Sequence, residues 1–342
     1  MTDVRQDSGE LFPTTQGFDG EIIAPDHAVA GAVEGTMIDG LGDPGVEGTL
    51  QAGLDLKVRS QWSYARMRFF RHRLAMLGLF GLVIIFGAGI LAPYITPYSF
   101  SYIPLFNPHY LEAPSSAFPF GTDANGSDEF SRVIWGIRTS MEVGVVVAFA
   151  STVIGLAIGA AAGFFGGWLD NLLMRATDLV LTLPLLAVLL TASALLGQGN
   201  QWRVTIILVL FFWTGIARVV RGIYLSLREK EYVEAAKASG AGDARLMFRH
   251  ILPNTLGPIV VNATLAVGTA ILIEAALSFL GQGIKPPTPS LGILVSQAQS
   301  SPQAWWLTVF PGVTLVLIVL CVNFVDDGLR DALDPQQRRV RA

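Results

Sequence analysis

The sequence is short of the residues that most often carry chemistry or cross-links. One cysteine, Cys321, stands alone in 342 residues, which excludes an intrachain disulfide and a cysteine zinc cluster. The four histidines, His27, His72, His109 and His250, are too scattered in sequence to suggest a metal motif. Charged residues make up only 15%, where soluble domains carry roughly a quarter. That shortage, with 51% hydrophobic residues and a mean hydropathy of +0.50, points to lipid rather than water as the solvent. No Gly-rich Lys-Ser/Thr phosphate loop occurs, so no nucleotide or other cofactor is expected on this chain. The apolar stretches hold neither a nucleophile paired with a base nor a metal cluster, which argues against an intramembrane enzyme. A secondary transporter should show inverted repeats and broken helices bearing ion ligands; no convincing repeat is visible and only one carboxylate is embedded.

The net charge of −4 is itself an average over two unlike parts. Up to Leu56 eleven acids, from Asp3 to Asp55, face Arg5 alone, a balance of −10 that leaves +6 for the remainder. Residues 1–56 are rich in Gly, Asp and Thr, lack an apolar period, and are expected to form a disordered acidic tail, either merely solvated or used for docking. Without a basic start followed by an apolar run, this stretch does not read as a secretory leader.

A helix needs about 20 mainly apolar residues to cross the hydrocarbon core, because each residue rises about 1.5 Å. Six segments qualify: about Leu74–Ile95, Met141–Phe165, Leu179–Leu196, Val204–Gly222, Leu256–Gly281 and Leu307–Val325. The expected fold is therefore an all-α integral membrane protein of six transmembrane helices. A basic segment (57–73) precedes a membrane-embedded body (74–335) with an external loop over 96–140 and a loop over 223–255, and a short tail (336–342) follows. Lys and Arg cluster before the first span, between the fourth and fifth, and after the last, while the other side holds only Arg132, Arg138, Arg203 and Lys285. Basic loops are retained on the cytoplasmic side, so both termini are expected there. Trp168, Trp202, Trp305 and Trp306 fall at span ends, as an aromatic belt requires. Ser151, Gly155, Gly159 and Gly163, at steps of four, form a small-residue face for a close helix neighbour, and Pro184 should kink the third span.

A carboxylate within a membrane helix is costly, so Glu274 has two readings: it lines a pathway with Asn262, Thr264 and Thr269, or it is hydrogen-bonded to a neighbouring helix or loop. In the external loop, Asp123, Asn125 and Ser127 alternate like the start of a calcium loop, but position twelve is Ile134 and calcium is rejected. Phe130, Val133, Ile134 and Ile137 then predict a short interfacial helix with Glu129, Arg132 and Arg138 on its polar side.

The 223–255 loop predicts two short helices joined at Ser239-Gly240-Ala241-Gly242, the second capped by Asp243. Leu246, Met247, Ile251 and Leu252 offer an apolar surface edged by Arg245, Arg249 and His250, a knob for a hydrophobic groove on a soluble partner.

Glu234-Ala235-Ala236, then Gly240, then Ile251-Leu252-Pro253 at this spacing resemble the EAA loop of ABC importer permeases. The resemblance runs from about Trp62 to Pro335 and narrows to the peptide/nickel branch, C-type subunit. It is carried also by Phe70–Met76, by Phe120-Gly-Thr-Asp123 and Gly136-Ile-Arg138-Thr-Ser140, by Arg175, Asp178 and Pro184, by Leu277-Ser-Phe-Leu-Gly281 and by Asp327–Pro335. Ser127 departs from a usual Arg and Leu291 from a usual aromatic, both on the outer side, where they bear on binding-protein contacts or solute. The resemblance implies a type I importer fold and a heteromeric complex in the bacterial or archaeal cell membrane, with a homologous B-type permease, two ATPase subunits carrying ATP and Mg, and an extracytoplasmic binding protein. No nucleic acid is implied. It makes Glu234 and Arg249 polar contacts to the ATPase, Gly240 the turn, and Ile251 and Leu252 the apolar insertion. Asp123, Asp128 and Arg132 become candidate binding-protein contacts. Peptide is the first solute implied, with nickel chelates, glutathione or another small solute as alternatives.

Overall fold

The computed structural model describes residues 61–104, 109–196 and 200–333; the tail expected over 1–56 and the C-terminal tail lie outside these. The elements are helices: α1 Gln61–Arg71, α2 Arg73–Ile90, α3 Ala92–Ile95, α4 Glu129–Phe165, α5 Gly167–Thr182, α6 Leu185–Leu196, α7 Gln201–Arg228, α8 Glu231–Ala238, α9 Asp243–Arg245, a π-helical stretch Leu246–Ile251, α10 Leu252–Phe279, α11 Leu291–Ala298 and α12 Trp306–Leu333. Five are long and apolar enough to cross a membrane (α2, α4, α7, α10 with its lead-in from Asp243, and α12), and the bent pair α5–α6 makes a sixth if counted as one span.

Contacts along the helices fix their directions, with α2 antiparallel to α4 and α12, α10 antiparallel to α12, and α4 parallel to α7. Gly78 of α2 lies against Cys321 and Phe324 of α12, and Gly89 against Ile137 and Arg138 of α4. Gly163, near the end of α4, meets Arg221 and Tyr224 near the end of α7, while Gly257, near the start of α10, faces Leu333. One end of the bundle thus gathers α1, the α4–α5 turn, the α7–α10 connection and the end of α12; with Arg66, Arg68, Arg71, Arg73, Arg228, Lys230, Lys237, Arg245, Arg249 and Arg330 it is the basic end.

Three boundaries differ from the sequence expectation. The external helix and the second span are one 37-residue helix: Asp128 caps it by accepting from the Ser131 backbone N–H at 2.9 Å, and no breaker follows before Gly166, at φ +65°. Its polar first turns are buried by neighbouring elements, and Arg132 is paired there with Asp123 and Gln297. The third span is broken rather than kinked, with an 85° bend between α5 and α6. Pro184 offers no N–H and holds Leu183 extended (φ −73°, ψ 136°), so the helix ends there. The fifth span starts earlier, since Pro253 sits in the first turn of α10, where a missing N–H costs nothing. Of the tryptophans, Trp168, Trp202 and Trp305 are exposed near helix ends, but Trp306 is buried and its Nε1–H donates to the Thr122 carbonyl at 3.1 Å.

The small-residue face of α4 is where the bundle is tightest. A Cβ at Gly155 would lie 2.8 Å from the Trp213 carbonyl oxygen, one at Gly159 2.8 Å from the Val220 Cβ, and one at Gly163 2.7 Å from the Arg221 carbonyl oxygen. In lipid no hydrophobic force joins helices, so this backbone approach supplies the dispersion contact instead. Gly159→Val should destabilise the detergent-solubilised protein by about 1–3 kcal/mol or more, by forcing α7 away. Gly215→Ala, with open space around its Cβ, should not. Thermal unfolding followed by size-exclusion recovery checks the pair; equal recovery would contradict the packing.

Candidate functional site

The loop between α7 and α10 folds into a knob at the basic end. α8 closes with Gly240 at φ +82°, the Gly240 N–H donating to the Lys237 carbonyl at 3.0 Å and the Ala241 N–H to the Ala236 carbonyl at 3.1 Å. This paired closure satisfies two orphan carbonyls and needs a left-handed residue, which glycine provides without strain. Gly242, not Asp243, holds the next cap position, and Asp243 opens α9.

The π-helical stretch then sets which side chains face where. Its wider turn places positions five apart on one side, so Leu246 and Ile251 both point inward and are buried with Val233, Val220, Tyr224 and Ile259. Ile251, expected as an insertion into a partner, is instead a key holding the knob to α7 and α10. Phe248, which even helical spacing passed over, is 65% exposed. Glu234, Ala235, Gly240, Arg245, Arg249 and Pro253 are exposed, while Ala236 and Leu252 are half-buried. Further ties come from the Asn254 Nδ2–H, 2.8 Å from the His250 carbonyl, and from Arg228, whose Nη1 donates to the Gly163 and Phe164 carbonyls at 3.2 and 3.3 Å. Arg228 thereby closes the C-terminus of α4, where a cation is favoured.

The expected path residues do not converge. Glu274 is fully buried and accepts from Ser140 Oγ at 3.0 Å and Ser278 Oγ at 2.7 Å. The Ile284 N–H reaches Ser278 Oγ at 3.1 Å, and the Leu291 N–H reaches Ser140 Oγ at 3.5 Å. Within this chain Glu274 is therefore a tie between α4, α10 and the segment leading into α11, not a group on an open face. Asn262 and Thr264 turn back onto their own helix, to the Pro258 and Val260 carbonyls at 2.8 and 3.0 Å. Sequence reasoning missed two ion pairs across α5 and α7: Arg221 to Asp170 through two bonds of 2.5 and 2.6 Å, and Arg218 to Asp178 at 2.7 Å. Their partners lie 51 and 40 residues apart, and only an Arg amid apolar residues of α7 hinted at them.

At the opposite end Asp123, Asp128 and Arg132 are buried, which corrects their expected exposure to a partner. Arg132 pairs with Asp123 and donates through Nη2 to Gln297 Oε1 at 2.6 Å, while Asp123 Oδ1 accepts from the Asn125 and Ser127 N–H groups at 2.8 Å. Ser127 and Leu291, the two departures from the family pattern, are buried as well, so neither side chain is offered outward. Glu274→Ala should leave the Ser140 and Ser278 hydroxyls unsatisfied, on the order of 1–3 kcal/mol per group, and speed hydrogen exchange over 280–298; Glu274→Gln should largely preserve protection. Indistinguishable exchange in Glu274→Ala and the parent would refute the tie.

Comparison with known proteins places this architecture. Residues 151–339 match the family described as the binding-protein-dependent transport system inner membrane component, and residues 60–114 match the N-terminal TM domain of oligopeptide transport permease C. A putative peptide permease protein of Brucella suis is 42% identical over 272 residues, 79% of this chain and 89% of that protein. The dipeptide transport system permease protein DppC of Alkalihalophilus pseudofirmus is 39% identical over 280 residues (82% and 91%), and the oligopeptide transport system permease protein OppC of Mycobacterium bovis 39% over 276 (80% and 94%). A solved structure of the MetNI methionine ABC transporter, inward facing, aligns with a TM-score of 0.49 at 21% identity, covering 59% of this chain and 96% of that one. With the family match over residues 151–339, more than half of the chain, and with relatives about 40% identical over some four-fifths of it, the chain belongs to the family of binding-protein-dependent transport system inner membrane components, as a multi-pass permease subunit.

Proposed function

We propose that this chain forms half of the translocation path of a peptide importer and takes its drive from ATPase subunits docked on the Glu231–Ile251 knob. The observation that carries this reading is the knob's two-sidedness: Leu246 and Ile251 are sunk into the bundle while Phe248, Arg245 and Arg249 stand outward at the basic end. Peptide as the solute is supported by the names of the relatives. The clustering of Lys and Arg at the knob's end supports placing that end, and with it both termini, in the cytoplasm. A binding protein delivers the solute at the opposite end, and a second, homologous permease completes the path. ATP and Mg are held by the partner subunits, two ATP-binding cassettes whose closure displaces the knob.

The force then has a defined route. Ile251 and Leu246 share one apolar cluster with Val220 and Tyr224 of α7 and Ile259 of α10, and Arg228 holds the end of α4. A displaced knob carries three helices with it, which is a switch between two packings rather than a local adjustment. Glu234 and Arg249 provide the polar contacts to the ATPase, and Phe248 with half-buried Leu252 the apolar one.

Gly240→Val places a branched residue in the left-handed region, with a backbone penalty of about 1–2 kcal/mol, although nothing crowds its Cβ. Uptake and solute-stimulated ATP hydrolysis by the reconstituted complex should be lost while the chain still reaches the membrane; unchanged uptake would sink the coupling role. Phe248→Ala combined with Arg249→Glu, both on the outward side, should cut the ATPase that copurifies with the chain by tenfold or more without lowering the chain's own thermal stability. Full ATPase recovery would show that docking lies elsewhere.

A further inference from the structure

At the end opposite the knob, between α4 and the start of α7, lies an open cavity of about 550 Å³ lined by Phe100, Trp135, Arg138, Glu142, Gln201 and Trp202 among others. Arg138 Nε donates to Glu142 Oε1 at 3.0 Å, and Gln201 Nε2 donates to Glu142 Oε2 at 3.1 Å. Both charged side chains are about one-third exposed, at 37% and 35%. The guanidinium carbon of Arg138 lies 5.5 Å from the centre of the Trp135 ring, which packs edge-on to Phe100 at 5.2 Å. Trp135 is fixed in turn by its Nε1–H, which donates to Thr96 Oγ1 at 3.1 Å. The wall is therefore built in advance of any ligand, and the cavity has the size and the mix of aromatic and convergent polar groups that small-molecule sites show.

The charges are spaced for a particular ligand. Arg138 and Glu142 are one helical turn apart, about 6 Å along the axis. A fully extended dipeptide spans about 7 Å, with an ammonium at one end and a carboxylate at the other. An intrahelical ion pair that is partly exposed contributes little, so opening it costs little. A zwitterion that enters replaces one such pair by two, both beside rings that exclude water. Charged groups near the end of a membrane helix normally face a watery cavity and mark a route, as these two do. We infer that this cavity is a docking site for the termini of a short peptide of two or three residues, with the carboxylate on Arg138, the ammonium on Glu142 and an apolar side chain against Trp135 and Trp202. The inference rests on the peptide reading above and adds to it a site on the permease itself.

The test uses the full complex in nanodiscs without its binding protein. Leu-Phe, N-acetyl-Leu-Phe and Leu-Phe-amide are titrated against the parent, Arg138→Gln and Glu142→Gln, and binding is read by saturation-transfer NMR. In the parent, blocking either terminus should weaken binding at least tenfold. In Arg138→Gln the free and amidated peptides should bind alike, and in Glu142→Gln the free and acetylated ones. Arg138→Lys, which keeps the charge, should retain most of the preference for a free carboxylate, and if the Gln variants do not assemble, the parent's response to blocked termini alone decides. Equal binding of free and blocked peptides by the parent, or no binding at all, overturns the site. Peptide retained by the purified binding protein in that case leaves the peptide reading standing, whereas a binding protein that retains a different solute removes both.

Discussion

The near-touch of the α4 and α7 backbones is the constraint on which the rest of the structure depends. Lipid tails are as apolar as leucine, so two membrane helices gain little by merely covering each other's side chains. They gain by packing closely, and Gly155, Gly159 and Gly163 let the carbonyls of Trp213, Ala217 and Arg221 approach where a Cβ would clash. Both ends of this pair then acquire a role from the same approach. At the basic end it brings Arg228 to the last carbonyls of α4, and at the other it sets Gln201 against Glu142. The knob and the charged cavity are thus opposite ends of one rigid pair.

The paired polar groups of the bundle divide by how far the chain buries them. Glu274 with its serines, and Asp123 with Arg132, are shut away and fully engaged, so they hold elements together. Burying such groups is costly unless they are paired, and here the pairing adds to the apolar packing that joins α11 to α4 and α10, and fastens the external loop to α11. By contrast Arg138, Glu142, Arg218 and Asp178 keep a third to a half of their side-chain surface. Charges left that open at membrane depth have to face water or another protein, whereas Glu274 is turned wholly onto its own chain.

Much of this was legible in the sequence, and the parts that were not share a cause. Apolar runs located the spans because only chain length and hydropathy decide whether a helix fills the bilayer, and the step-of-four glycines located the closest contact. The glycine turn at Gly240 was readable because a closed helix end needs a left-handed residue there. Hydropathy, however, stops counting at the first charge, so α4 seemed to begin at Met141 although Asp128 starts it; the arginines before that point are paired, Arg132 with Asp123 and Arg138 with Glu142, and Arg132 also donates to Gln297, far away in sequence. Glu274, Asp123 and Arg132 stood out as rare, and rarity does not tell a tie from a contact. Proline marked the right place in the third span, but the size of the bend depends on what packs on either side of it.

The π-helical stretch explains why the same loop can be both anchored and available. With ordinary 3.6-residue spacing Leu246 and Ile251 would sit 140° apart around the axis, and anchoring both would turn part of the outward face inward. One extra residue in the turn brings them to the same side, and Phe248 and Arg249 are left facing away. A loop that inserted Ile251 into a partner would give up its contacts in this cluster and be held to the bundle mainly by Leu246 and Val233. Sinking Ile251 among Val220, Tyr224 and Ile259 instead joins the outward residues to α7 and α10 through close-packed side chains with little room to absorb a displacement, which is what the proposed coupling requires.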